Sequence, residues 1–250
     1  MDLIPALDLL DGEAVRLAQG DYARRAAHVA DPESVLRGWV AAGVRHLHLV
    51  DLDGAKAGRP ANLSVAAHLA EAARAEAGGE AMCVEFGGGL RRADDIGTAL
   101  DAGIDIAILG TAAVEDPELV REAVARWPTR VGASIDVRDG TLVVDGWTRS
   151  SDAGADAVTM ARGLAGAGVG QLVVTDTRRD GTGAGPNFAL LERMRAALPA
   201  TRLVAAGGIA STAALQALAE AGVDGAIVGL ALVDGSLQVG MALEAARDAA

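Results

Sequence analysis

Two aspartates stand near the ends of apolar runs, where a charge needs a reason. Asp8 lies in "LIPALDL" at 3–9 and Asp136 in "VGASIDV" at 131–137. A buried, unpaired carboxylate costs several kcal/mol in practice, so a chain tolerates one mainly where it is paired or used. Two carboxylates whose surroundings push their pKa values apart can supply one acid and one base. Capping or salt bridging at a strand end would also account for them. Asp180, in "RRDGTGAGPN", is a further candidate acid, although that loop has a turn composition in which an aspartate serves equally well.

Around these carboxylates the sequence offers bare backbone. Gly88 and Gly89, Gly207 and Gly208, Gly110 with Thr111, and Gly229 each follow an apolar run and precede helical spacing. Such places bind phosphate through backbone N–H groups, or simply make a tight turn. His48, in "HLHLVDL", is either a hydrogen-bonded core histidine or a ligand-facing one. Trp147 sits in a Gly, Ser, Asp and Thr-rich stretch at 145–156, where no core stripe explains an indole. It reads as a stacking residue on a mobile loop or as surface packing. No Cys/His metal spacing, P-loop or GxSxG elbow occurs.

The elements that must position these residues form a rhythm. Apolar runs recur at 3–9, 46–52, 82–87, 106–110, 131–137, 171–176, 202–208 and 225–229, with segments of helical spacing such as "PESVLRGWVAAG" and "TAALQALAEAG" between them. Strand then helix, eight times, predicts an α/β fold of the closed parallel (βα)8 barrel type, as a single domain over 1–250. In such a barrel the C-terminal ends of the strands open into the active-site mouth. A period of two puts Ile4, Ala6 and Asp8 on one side of the first strand.

The chain also repeats itself, dividing into half-barrels at approximately 1–125 and 126–250. "GGLRRADDIGTALDAGIDIAILG" at 88–110 aligns without a gap to "GGIASTAALQALAEAGVDGAIVG" at 207–229. "LDLLDG" at 7–12 answers "IDVRDG" at 135–140, which makes Asp8 and Asp136 counterparts. Asp51 and Asn62 answer Asp176 and Asn187. Two glycine sites on opposite sides of one rim suit a long ligand with a phosphate at each end.

Composition narrows the class. A net charge of -12 gives no global attraction to nucleic acid or anionic lipid. The single Cys83 rules out an intramolecular disulfide. No stretch reaches a membrane span, and "MDLIPALD" lacks the basic start of a signal peptide. The expectation is a cytoplasmic monomer that needs no obligatory protein partner.

Taken in order, "IPALDLLDGEAVRLAQGDY", "HLVDLDGAKAGRPAN", "GGGLRRADDI", "SIDVRDG", "TDTRRDGTGAGPN" and "AAGGI" resemble the histidine-biosynthesis isomerase family that acts on the bisphosphate ProFAR. The resemblance runs from Met1 to about Leu243. It implies an Amadori rearrangement of an aminoaldose to the aminoketose PRFAR, without a cofactor. It also implies Asp8 as the base at C2 and Asp136 as the acid that opens the ribose ring, with Asp180 as the acid in some relatives. Arg16, His48, Trp147, Thr175 and Asp176 would then line the substrate pocket.

Two other readings compete. A bifunctional relative also handles phosphoribosyl anthranilate in tryptophan synthesis, but carries an arginine where this chain has Asp145. A non-catalytic phosphate-binding barrel would keep the fold and lose the chemistry.

Overall fold

The computed structural model describes residues 1–18 and 21–248, with the side chains of 16–28 and 248 outside that description. The strands, in chain order, are β1 (Asp2–Leu10), β2 (Glu13–Ala18), β3 (Asp21–Val29), β4 (His46–Asp51), β5 (Cys83–Gly87), β6 (Ile106–Leu109), β7 (Val131–Arg138), β8 (Thr141–Val144), β9 (Arg149–Ser150), β10 (Gln171–Asp176), β11 (Arg202–Ala206) and β12 (Gly225–Val228). The helices are α1 (Pro32–Ala41), α2 (Leu52–Ala57), α3 (Leu63–Glu76), α4 (Ala93–Asp101), α5 (Thr111–Glu115), α6 (Pro117–Arg126), α7 (Ala157–Gly166), α8 (Phe188–Ala197), α9 (Thr212–Glu220), α10 (Leu230–Val233) and α11 (Val239–Asp248).

Eight of the strands pair in parallel around a closed ring, β1–β4–β5–β6–β7–β10–β11–β12 and back to β1. They coincide with the eight apolar runs. This is the expected TIM barrel, and the near-continuous apolar strands follow from having both faces covered. Leu7, Leu47, Leu49, Phe86 and Ile135 point outward into the aliphatic layer beneath the helices. Ile4, Ala6, Ile108, Val173, Val204 and Ile227 fill the barrel's interior. Helix starts are set locally. Asp31 and Asp116 each accept an N–H from the first turn of a helix that opens on proline, and Asp156 and Ser211 cap α7 and α9 in the same manner.

Two antiparallel additions depart from the rhythm. β2 pairs β1 and β3 after the first barrel strand, and β8 pairs β7 and then β9 after the fifth. The second addition takes in the start of the stretch expected as a loop at 145–156. There the chain turns through Asp145, Gly146 and Trp147, all with positive φ (57°, 61° and 68°), and returns as β9. The turn lifts Trp147 over the C-terminal mouth of the barrel.

Candidate active site

Below the rim, the loops after β4 and β10 are organised by two corresponding aspartates. Asp51 is fully buried and accepts hydrogen bonds from Gly54 N (2.8 Å), Ala61 N (2.6 Å), Asn62 N (2.8 Å) and Asn62 Nδ2 (2.7 Å). Asp176 accepts from Arg178 N (3.0 Å) and Asn187 Nδ2 (2.7 Å). The glycine pairs press against these loops. A Cβ on Gly88 would lie 2.2 Å from Asp51 O, and one on Gly89 would lie 2.5 Å from the Arg59 carbonyl carbon. On the other side a Cβ on Gly207 would lie 3.0 Å from Asp176 O, and one on Gly208 would lie 2.6 Å from Gly185 O. Glycine is therefore required for neighbouring loops to seat on each other, whatever ligand binds above, and a bulky substitution there reports folding before it reports binding.

The same construction ends β6 and β12. Gly110 (φ -95°, ψ -97°) and Gly229 (φ -106°, ψ -93°) share one unusual backbone conformation. They lie on opposite sides of the rim.

The mouth of the barrel gathers nearly all the residues singled out from the sequence. One pocket is lined by Asp8, His48, Gly88, Gly89, Gly110, Thr111, Asp136, Trp147, Thr175 and Asp180. An adjoining pocket, sharing Asp180, is lined by Gly207, Gly208 and Gly229. Asp8 and Asp136 arrive from facing strands with half-buried side chains. Burial pushes the Asp136 carboxyl above the ordinary aspartate range, and the negative charge of nearby Asp180 pushes the same way. Hydrogen bonds donated by Trp147, Thr175 and Ser134 oppose the shift without cancelling it. Asp136 is thus an aspartate inclined to keep its proton, held in place by three donors.

Asp145 caps this arrangement. Its N–H donates to Thr111 Oγ1 (2.8 Å), and its carboxylate pairs with Arg91 (2.8 Å) and Arg149 (2.7 Å). The Asp145 carboxylate is held below the ordinary aspartate range by both arginines, against the effect of burial. Asp145 therefore reaches the rim already compensated rather than as a bare negative charge.

His48 is both of the things its sequence left open. It lines the pocket, and its Nδ1 lies 2.5 Å from Oε1 of Glu85, which is fully buried in the barrel interior. The other oxygen of Glu85 meets His46 Nε2 (3.1 Å) and the Gln171 amide. Burial would raise the Glu85 carboxyl, but the two histidines hold it far below the usual carboxylate range. Burial alone would depress His46, yet Cys83 and Glu85 raise it to about 10.

Asp176, expected against substrate, lines neither of these two pockets, and its carboxylate is engaged in building the loop. Asp176→Asn is expected to leave kcat/KM within about threefold of wild type while lowering stability by about 1 kcal/mol, the worth of a hydrogen bond weakened at a loop base. Urea unfolding and steady-state kinetics on the one variant would check both halves. The side chain of Arg16 lies outside the described residues. Reasoning from sequence overlooked Ser134 and Arg91, which also line the pocket. Ser134 had a usable signal, since it stands two residues before Asp136 on the same face of β7.

Comparisons with known proteins agree in kind. The family described as "Histidine biosynthesis protein" matches residues 2–238. A Dehalococcoides mccartyi protein is 41% identical, covering 98% of this chain and 99% of its own length. A Chloroflexus aurantiacus protein is 40% identical, covering 99% and 98%. A Picosynechococcus protein is 42% identical, covering 98% and 93%. All three carry the name of an imidazole-4-carboxamide isomerase, a name that specifies two phosphoribosyl groups, one of them as a phosphoribosylamino substituent.

Proposed function

The chain belongs to the histidine-biosynthesis protein family, and from that premise we propose that it is the isomerase that converts ProFAR to PRFAR. One observation carries the chemistry. Asp8 and an Asp136 inclined to stay protonated share a pocket flanked by two matched glycine loops. Asp136 gives its proton to the ribose ring oxygen, so the ring opens as the C1–N bond becomes an imine. Asp8 then removes the C2 proton, and the resulting enolamine relaxes to the aminoketose. The chemistry is proton transfer at fixed positions and asks for no redox partner. Gly88, Gly89, Gly110 and Thr111 would receive one phosphate, and Gly207, Gly208 and Gly229 the other.

The repeated backbone supports a half-barrel duplication. Gly89 and Gly208 have φ of 78° and 77°, and Gly110 and Gly229 agree to within about ten degrees in both angles. No helix among the described residues is long and apolar enough to cross a membrane. We read the working form as a cytoplasmic monomer without an obligatory partner, as the likeness to the imidazole-4-carboxamide isomerases suggests.

The test is a paired assay of purified protein on ProFAR and on phosphoribosyl anthranilate. Turnover of ProFAR is expected, with anthranilate turnover at least about tenfold lower, because Arg91, which lines the pocket, and Arg149 are already engaged by Asp145. Comparable turnover of both would establish the bifunctional reading, and turnover of neither would end the enzymatic one.

A further inference from the structure

The interior of the barrel holds a carboxylate that the mechanism above does not use. Glu85 sits in β5 with its side chain turned into the barrel beneath the pocket, without solvent contact. An ionised carboxylate can only accept hydrogen bonds. Its contacts to His48 Nδ1, His46 Nε2 and Gln171 Nε2 are therefore all donated by the partner. Three nitrogen contacts on two oxygens favour the ionised form of a group that burial would otherwise neutralise. The chain of contacts continues to the opposite end of the barrel, where Gln171 Oε1 accepts from Arg202 Nε (3.3 Å) and Arg202 pairs with Asp2 (2.5 Å). Gln171 is therefore held by its own carbonyl and cannot turn its amide away from Glu85. His46 and His48 thus share the one carboxylate, each through a single ring nitrogen on a different oxygen.

We propose that Glu85 is a positioning residue for the isomerisation, fixing His48 in the Nδ1–H tautomer so that Nε2 is left as a hydrogen-bond acceptor for a sugar hydroxyl of the substrate. The inference rests on the isomerase reading. His48 pairs in register with Ala6, one inward-facing place below Asp8 on β1. A hydroxyl held at His48 Nε2 therefore keeps the opened sugar chain from turning its C2 away from the Asp8 carboxylate. With the opposite tautomer, Nε2 would offer a proton instead of a lone pair, and the hydroxyl would have to reorient.

The chain has only four histidines, His28, His46, His48 and His68, so their ring nitrogens can be resolved in 15N-histidine-labelled protein by long-range proton–nitrogen correlation, with His48→Gln identifying the His48 signals. Wild-type protein is expected to show His48 protonated at Nδ1 and bare at Nε2. Glu85→Gln should abolish that pattern and lower kcat on ProFAR by at least about tenfold, with KM changed by less than about threefold, as expected when a ring is released into the wrong tautomer. A wild-type His48 protonated at Nε2, alone or together with Nδ1, overturns the proposal, and this measurement needs no variant. So does a Glu85→Gln protein that loses activity while the His48 signals stay as they were, since Glu85 would then be a structural group only. Absence of wild-type turnover with the Nδ1–H pattern present would count against the isomerase reading and leave the tautomer assignment standing.

Discussion

Replacing Asp8 with asparagine is expected to lower kcat on ProFAR by at least ~100-fold while product binding changes by less than about threefold. The amide keeps the shape of the carboxylate at the end of β1 and loses its ability to take a proton. The aldose is then bound and its ring opened from the Asp136 side, but C2 keeps its hydrogen. Substrate deuterated at C2 sharpens the test. Wild-type enzyme should show a primary isotope effect wherever C2–H cleavage limits the rate. Near-normal turnover in the variant would remove Asp8 from the mechanism, and weakened product binding with normal kcat would make it a binding group.

The second large effect is expected at Asp136. Asp136→Asn should lower kcat by about 100-fold or more, because ring opening loses its acid. The pH profile carries the finer information. The acid must be protonated to act, so rate falls as pH rises past its pKa. For Asp136 that alkaline limb lies above the ordinary aspartate range, since burial and Asp180 both favour the protonated form. Asp136→Asn should abolish the limb. Asp180→Asn should keep it and move it to lower pH, because a repelling charge has been removed. The reverse pattern, with the limb surviving in Asp136→Asn and missing in Asp180→Asn, would assign the acid to Asp180.

Much of this could be read from residue types alone, for a definite reason. Both faces of each barrel strand are covered, so the runs at 46–52 or 171–176 are apolar throughout and leave a clear trace. The ends of those runs are where polar residues reappear, and Asp8 and Asp136 stood out there. What escaped notice depended on partners distant in sequence. Glu85 lies in "MCVEF", a charge inside an apolar run as informative as Asp8, but its three donors come from β4 and β10. Asp176 carried the same letter as a catalytic aspartate, and only its contact with Asn187 shows it at work inside its own loop. The pairing of Asp145 with Arg91 left no trace in the sequence, because the two lie 54 residues apart. The β2–β3 excursion is missing from the list of apolar runs, because alternation over a few positions gives little signal.

The wedging of the glycine pairs against their neighbouring loops has a thermodynamic consequence. Neither loop can rearrange without moving the loop beneath it, so on the proposed reading both phosphate seats exist before the substrate arrives and demand little ordering on contact. A bisphosphate then behaves as a chelate. Once one end is seated, the other finds its place at the effective concentration set by the length of the ligand, which is high because the frame between the seats is rigid. Removing either phosphate from the ligand forfeits this intramolecular advantage as well as the lost contacts. The barrel thus selects its substrate partly by span, accepting the molecule whose two ends match the distance across the rim.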